Sequence, residues 1–182
     1  DSREQYAKAQ VNLGVALREQ GDTEGAIAAY RNIARADSLE QYAKAQLYLG
    51  IALGEQGNAE EAISAYRNIS REDSCEQYAK AQVNLGVTLA KQGKTDEAID
   101  TFCNIQPEDS KEAHAKAQLG LGIILEAWGD TESAIAAYRK ITRKDLREQY
   151  AMAQMNLGVA LRKQGKTEEA IAACQNIIRK DS

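Results

Sequence analysis

Few residues in this chain could make or break bonds. There is one histidine, His114, and there are three cysteines, Cys75, Cys103 and Cys174. Acid–base, nucleophilic and metal chemistry draw on clusters of such groups, and here they are scattered. The cysteine count is odd and no CxxC spacing occurs, so reduced, unpaired thiols are expected and no metal or cofactor site is read. The carboxylates and lysines are abundant, but they recur at a fixed interval along the whole chain instead of gathering in one place. That interval, more than any single residue, carries the reading.

The stretch EQYAKAQVNLGVALREQGDTEGAIAAYRNI, from Glu4 to Ile33, returns four more times, starting at Glu40, Glu76, Glu112 and Glu148. The period is 36 residues, and Asp1, Asp37, Asp73, Asp109, Asp145 and Asp181 mark the starts. A fixed period in this range signals a solenoid, whose units bury their apolar faces only against neighbours. One repeat domain over 1–182 is therefore expected, with units 1–36, 37–72, 73–108, 109–144 and 145–180 and the start of a further unit at 181–182. Against this register the scarce chemical residues become substitutions. His114 stands in a tyrosine column, Cys174 in another, and Cys103 where other units carry arginine, so all three read as packing or surface replacements. No enzyme activity is expected.

Each unit reads as two helices. Helix A is expected from about Arg3 to Gln20, capped by Asp1 or Ser2, with Ser2 and Gln5 at capping-box spacing. Gly21 stands where a left-handed cap would end it. Helix B is expected from about Thr23 to Arg35, capped by Asp22 or Thr23. The short link makes the two antiparallel. At 100° per residue, Tyr6, Gln10, Leu13 and Leu17 share a face of helix A, flanked by Ala7 and Gly14. Ala26, Ile27, Tyr30 and Ile33 form the stripe of helix B. Tyr6, Tyr42, Tyr78 and Tyr150, with His114 in their place in the fourth unit, are expected to give bulk to the packed face. The glutamines at 10, 46, 82, 118 and 154 either sit partly buried and need amide partners or lie at a half-exposed boundary.

Leu13-Gly14, Leu17, Gly21, Ala26 and Tyr30, repeated in register in all five units, resemble the tetratricopeptide repeat family. The resemblance covers essentially the whole chain. It departs in two ways: the period is two residues longer than the family's usual 34, and the family's large aromatic falls on Gln10. It implies an all-α fold, a right-handed α-solenoid (superhelix) of helix-turn-helix repeats, whose A helices line a concave ligand surface. On these columns the groove would have an apolar centre of Val11, Val15, Leu47, Ile51, Val83, Val87, Leu119, Ile123, Met155 and Val159. Its polar fringe would be Lys8, Lys44, Lys80 and Lys116 with Asn12, Asn84 and Asn156, the asparagine column being broken by Tyr48 and Gly120. One family mode clamps a terminal carboxylate with Lys and Asn. Asn84 with Lys116 and Asn12 with Lys44 have the right relation, but Leu47, Ile51 and Gly120 occupy the clamp's other places. An apolar strip edged with lysine fits an amphipathic or extended peptide carrying a few acidic groups better. The competing reading is that the Val and Ile columns only pack adjacent A helices together. Trp128, in a glutamine column, is expected to pack over the nearby turn.

The chain's net charge is −4, against the basic footprint of a nucleic-acid binder. That disfavours the other helical-pair reading, an RNA-binding array of the pentatricopeptide kind. No apolar run approaches the ~18 residues of a membrane span, and no secretory signal is seen, so a cytoplasmic location is expected. The chain lacks an initiator Met, which points to a fragment. The expected function is a scaffold binding a protein or peptide. The alternative is a self-assembling array stacked end to end, because the first and last units show no polar capping face.

Overall fold

The computed structural model describes residues 2–143 and 147–178. The described residues hold ten α-helices and no strand. They are α1 Ser2–Glu19, α2 Thr23–Arg31, α3 Leu39–Glu55, α4 Ala59–Arg67, α5 Cys75–Lys91, α6 Thr95–Cys103, α7 Lys111–Ala127, α8 Thr131–Arg139, α9 Arg147–Lys163 and α10 Thr167–Ile178. α1 packs with α2, α3 with α4, α7 with α8 and α9 with α10 as antiparallel hairpins. The chain gathers into two compact units, Asp1–Lys94 and Thr95–Ser182.

The joints are built as the sequence implies. Within a hairpin the turn passes through a glycine in the left-handed region, Gly57 at φ 84° and Gly129 at φ 89°, a conformation that costs a side-chain-bearing residue about 1 kcal/mol or more. Asp22 and Asp130 then cap the B helices, accepting from the backbone N–H of Gly25 and Ser133. From one hairpin to the next, the Asp–Ser pair does two jobs. Asp37, Asp73 and Asp109 accept from the backbone N–H three residues back, at 3.0, 2.9 and 3.1 Å. Ser38, Ser74 and Ser110 cap the following A helix.

This corrects two boundaries. Helix B ends at Arg31, not Arg35, because the aspartate pulls the chain into a turn at residues 34–37. In the first unit Ser2 is helical, and the cap predicted at Asp1 lies outside the described residues.

In the first compact unit, α3 packs against α1, α2, α4 and α5. The Tyr30 and Tyr66 rings pack against Gly14 and Gly50, so that a methyl group on either glycine would overlap the ring. In the second, Leu119, Ile135, Tyr138, Ile141, Leu157 and Leu161 form the core, and Tyr138 covers Gly122 in the same way. Small A-helix residues thus admit B-helix aromatics.

The glutamines are buried at 46, 82, 118 and 154, so the half-exposed reading does not hold for these. Gln46 and Gln154 accept from the Asn68 and Asn176 amides, each at 3.3 Å. At Gln118 the asparagine is replaced by Lys140, and the Gln118 carbonyl oxygen is buried without a partner. The tyrosine column is shallower than expected. Tyr42, Tyr78 and Tyr150 are half-buried and Tyr6 is exposed. Arg71 and Arg143 lie over the Tyr78 and Tyr150 rings at 4.8 and 5.9 Å, a cation–π arrangement. His114 takes this half-buried place, with its Nε2 3.5 Å from the Gln118 amide nitrogen.

Candidate functional site on the A helices

The A helices carry two apolar columns, and they differ in depth. Val11, Leu47 and Leu119 are buried between helices, which withdraws them from direct ligand contact and corrects their place in the expected strip. Val83 is half-buried and Met155 is exposed. One turn on, Val15 and Ile51 are half-buried, while Val87, Ile123 and Val159 are exposed at 41%, 47% and 41%. The reachable apolar surface is therefore this second column together with Met155.

The lysine fringe is present but already paired. Lys44, Lys80 and Lys116 bridge Glu40, Glu76 and Glu112 of their own helices at 2.7, 2.6 and 2.6 Å. The hydrogen bond from Lys44, its charge and that of Lys8 together hold the Glu40 carboxyl below its ordinary range, against a slight opposing effect of burial. Asn12 is exposed, Asn84 and Asn156 are half-buried, and Tyr48 stands against Tyr30 with ring centroids 5.8 Å apart. Gly120 abuts the Phe102 ring, 2.9 Å from where a Cβ would lie.

A set of residues that column-by-column reading missed lies near the C-terminal ends of the A helices. Arg18 of α1 faces Glu55 of α3 at 3.8 Å, too long for a hydrogen bond but close enough for attraction. Glu126 of α7 faces Lys163 of α9 at 2.6 Å. The two pairs join the same two columns, 37 residues apart, with the charges reversed. The Glu126 carboxylate also accepts from the Tyr138 hydroxyl at 3.3 Å, and Asn156 hydrogen-bonds that hydroxyl. Burial, and then the Glu126 charge, raise the Tyr138 hydroxyl well above the ordinary phenol range. Such rungs were hidden because the first column reads Arg18, Gly54, Ala90, Glu126, Arg162, with no constant type. Only the fixed offset between charged partners would have shown them.

Between α3 and α5 the equivalent positions are Gly54 and Lys91, and here the rung is missing. A cavity of ≈ 550 Å³ opens at this point, bordered by Ile51, Gly54, Glu55, Tyr66, Asn84, Val87 and Lys91 among others. A Cβ on Gly54 would meet nothing within 4 Å.

Trp128 ends α7 and is 60% exposed, which corrects the expectation that it packs over the turn: the Gly129 joint turns the chain away before anything covers the indole. Cys75, Cys103 and Cys174 are exposed and unpaired. Among the described residues no group of three or more His, Cys, Asp or Glu is placed to hold a metal, and no helix is long and apolar enough to cross a membrane.

Comparison with known proteins agrees with this architecture. None of the curated proteins is similar enough in sequence to count as a relative. Among solved structures, the crystal structure of MamA superposes with a TM-score of 0.71 at 25% identity, over 91% of this chain and 92% of that one. PilF of Pseudomonas aeruginosa (TM-score 0.75, 19% identity, 100% of this chain and 80% of that one) and BtubC from P. vanneervenii (0.75, 17%, 97% and 80%) share the fold. Tetratricopeptide repeat profiles match residues 1–40, 11–74, 47–113 and 119–182. With the profile covering the chain almost end to end over ten helices, the protein belongs to the tetratricopeptide repeat family, whose members are in general non-enzymatic scaffolds for protein–protein interaction.

Proposed function

We propose that the chain binds a peptide or helical segment of a partner along the A-helix face. The observation that carries this reading is Ile123 and Val159, exposed on the adjoining helices α7 and α9 of one compact unit that also holds the Lys116 ion pair; in the other unit Val87 is exposed on α5, the helix of the Lys80 ion pair. Exposed aliphatic side chains recurring along one face are a surface for contact, and basic groups at the edge favour a segment with some acidic residues. Val87→Glu, Ile123→Glu and Val159→Glu together test it. All three sites are exposed, so helicity by circular dichroism should be unchanged while peptide binding is lost. Normal binding by the triple variant would place the ligand elsewhere.

A second reading is that copies of this 182-residue chain associate end to end. It rests on Leu13, exposed at 49% on α1, and Ile171, exposed at 53% on α10, whose counterparts Leu49 and Ile27 are buried. Mutual burial of unlike faces would propagate unless it closed. Sedimentation that rises with concentration in the parent chain, and stays monomeric in Leu13→Glu with Ile171→Glu, is the expected result. A strict monomer at all concentrations would remove this reading.

A nucleic-acid partner is the least favoured. The net charge of −4 predicts no steep salt dependence of binding, and a titration at two salt concentrations tests that.

A further inference from the structure

The cavity at Gly54 has a filled counterpart in the second compact unit. There, Tyr138, Asn156 and Lys163 surround the Glu126 carboxylate, with Lys163 at 2.6 Å and the Tyr138 hydroxyl at 3.3 Å. Two units earlier in the sequence the same places hold Tyr66, Asn84 and Lys91, and the place of Glu126 is Gly54. The donors are kept and the acceptor is gone.

The retained donors are unspent. Lys91 is exposed and has no ion-pair partner among the described residues. Tyr66 is 96% buried by its 4% exposure, borders the cavity, and its hydroxyl has no hydrogen-bond partner among the described residues. Burial, with the Glu55 charge adding to it, pushes that hydroxyl up to about 12, so it remains a donor at neutral pH. Glu55 also borders the cavity, but Arg18 faces it from the preceding helix at 3.8 Å and offsets its charge. The opening is large enough for a carboxylate-bearing side chain, and nothing stands where the Gly54 side chain would be.

We infer that this cavity is a carboxylate-binding subsite: a partner peptide supplies, between Lys91 and Tyr66, the acid that Glu126 supplies internally. The inference rests on the peptide-groove reading above and names one chemical requirement of the ligand. An ammonium ion and a phenol converging on one carboxylate make charge-assisted hydrogen bonds, each stronger than a neutral one. The carboxylate comes from an Asp or Glu side chain or from a peptide C-terminus, and the two sources are separable.

The test is a selection from a random peptide library displayed on phage with the peptide C-termini free, against the full 182-residue chain. Selected sequences are then synthesised, fluorescein-labelled, and titrated by anisotropy. Peptides carrying Asp or Glu at one common position should be enriched. Changing that residue to Asn or Gln should weaken binding about tenfold, the size expected for one charge-assisted contact. Lys91→Met should lose a similar factor. Gly54→Glu should abolish the acidic preference by filling the subsite from within, and should raise the melting temperature, a readout independent of any peptide. Gly54→Ala is the control and should bind nearly as the parent does.

Peptides with an amidated C-terminus that still need their acidic side chain assign the carboxylate to a side chain. Recovery of binding only with a free C-terminus assigns it to the terminus. If selected peptides lose binding to Ile123→Glu with Val159→Glu but bind Lys91→Met and Gly54→Glu unchanged, the groove stands and the subsite falls. If nothing is enriched over a blank surface, both fall.

Discussion

Helices α1 and α3 are near copies, sharing the Glu-Gln-Tyr-Ala-Lys-Ala-Gln run and the Leu-Gly pair, yet they are buried very differently. Ala7, Val11 and Gly14 are the buried residues of α1, whereas nine residues of α3 are buried, among them Gln46, Leu49 and Leu53. Leu13 is exposed at 49% and Leu49 at 6%. The sequences do not account for this; the neighbours do. α3 has a hairpin on either side, and α1 has one on a single side. In a repeat array a residue's energetic weight is a property of its junction.

The largest effect expected from this contrast is at the matched leucines. Leu49→Ala should destabilise by ~2–5 kcal/mol through lost burial and the cavity left behind, and Leu13→Ala by well under ~1 kcal/mol. Urea melts of the two variants measure the difference directly. Equal losses would mean that α1 is covered in solution.

A second contrast sharpens the first within a single helix. Gly50→Ala should cost ~1–3 kcal/mol, because the new methyl overlaps the buried Tyr66 ring and the ring must shift. Gly54→Ala, one turn on, faces open space and should stabilise by ~0.5–1 kcal/mol through helix propensity. Opposite shifts in melting temperature are the expected outcome.

Acid should find a junction before it finds an end. Burial alone would raise the Asp73 carboxyl, but the Ser70 backbone N–H, the Arg35 guanidinium at 2.7 Å and the Ser70 hydroxyl outweigh it and hold it below the ordinary range. A carboxyl lowered in the folded state contributes stability that is complete above its unfolded value, near ~4, and is lost as pH falls through the lower folded value. Asp73→Asn should therefore lower stability at pH 7 and flatten the acid limb of a stability profile. An unchanged slope below about pH 4 would show that other carboxyls set it.

The smallest effect should come from the surface pairs. Glu40→Gln breaks the 2.7 Å bridge to Lys44, an i,i+4 pair worth ~0.3–0.5 kcal/mol. Its loss should be detectable only at low salt, in contrast to the leucine at position 49.

Much of this was legible in the chain itself. The 36-residue period fixes the hairpins, and the glycines at 21, 57, 93, 129 and 165 mark their turns. Gly14, flanking the packed face of helix A, and Tyr30, in the stripe of helix B, do meet. What failed to show has a common cause. The early end of helix B at Arg31 depends on a carboxylate six residues further on. The burial of Val11, Leu47 and Leu119 depends on the adjacent A helix, and the Trp128 exposure on what the turn leaves uncovered. Periodicity averages over columns, so it reports what units share. The open rung at Gly54 and Lys91 is a departure from the repeat in one unit and becomes visible only beside its closed counterpart.

The Asp–Ser joint has a consequence at the level of the coding sequence. Asp37-Ser38, Asp73-Ser74 and Asp109-Ser110 close one unit and open the next with the same two side-chain-to-backbone hydrogen bonds. A misaligned exchange between copies removes or adds 36 codons and rejoins an aspartate that braces the turn behind it to a serine that starts the helix ahead. The new seam carries the bonds of the old ones, so copy number can change by whole units without a new joint having to be invented. The rung at Gly54 does not share this tolerance. Its partner at Lys91 lies one period and one residue away, and an exchange falling between them would seat that lysine opposite a different residue, so that array length and the chemistry of this opening are inherited together.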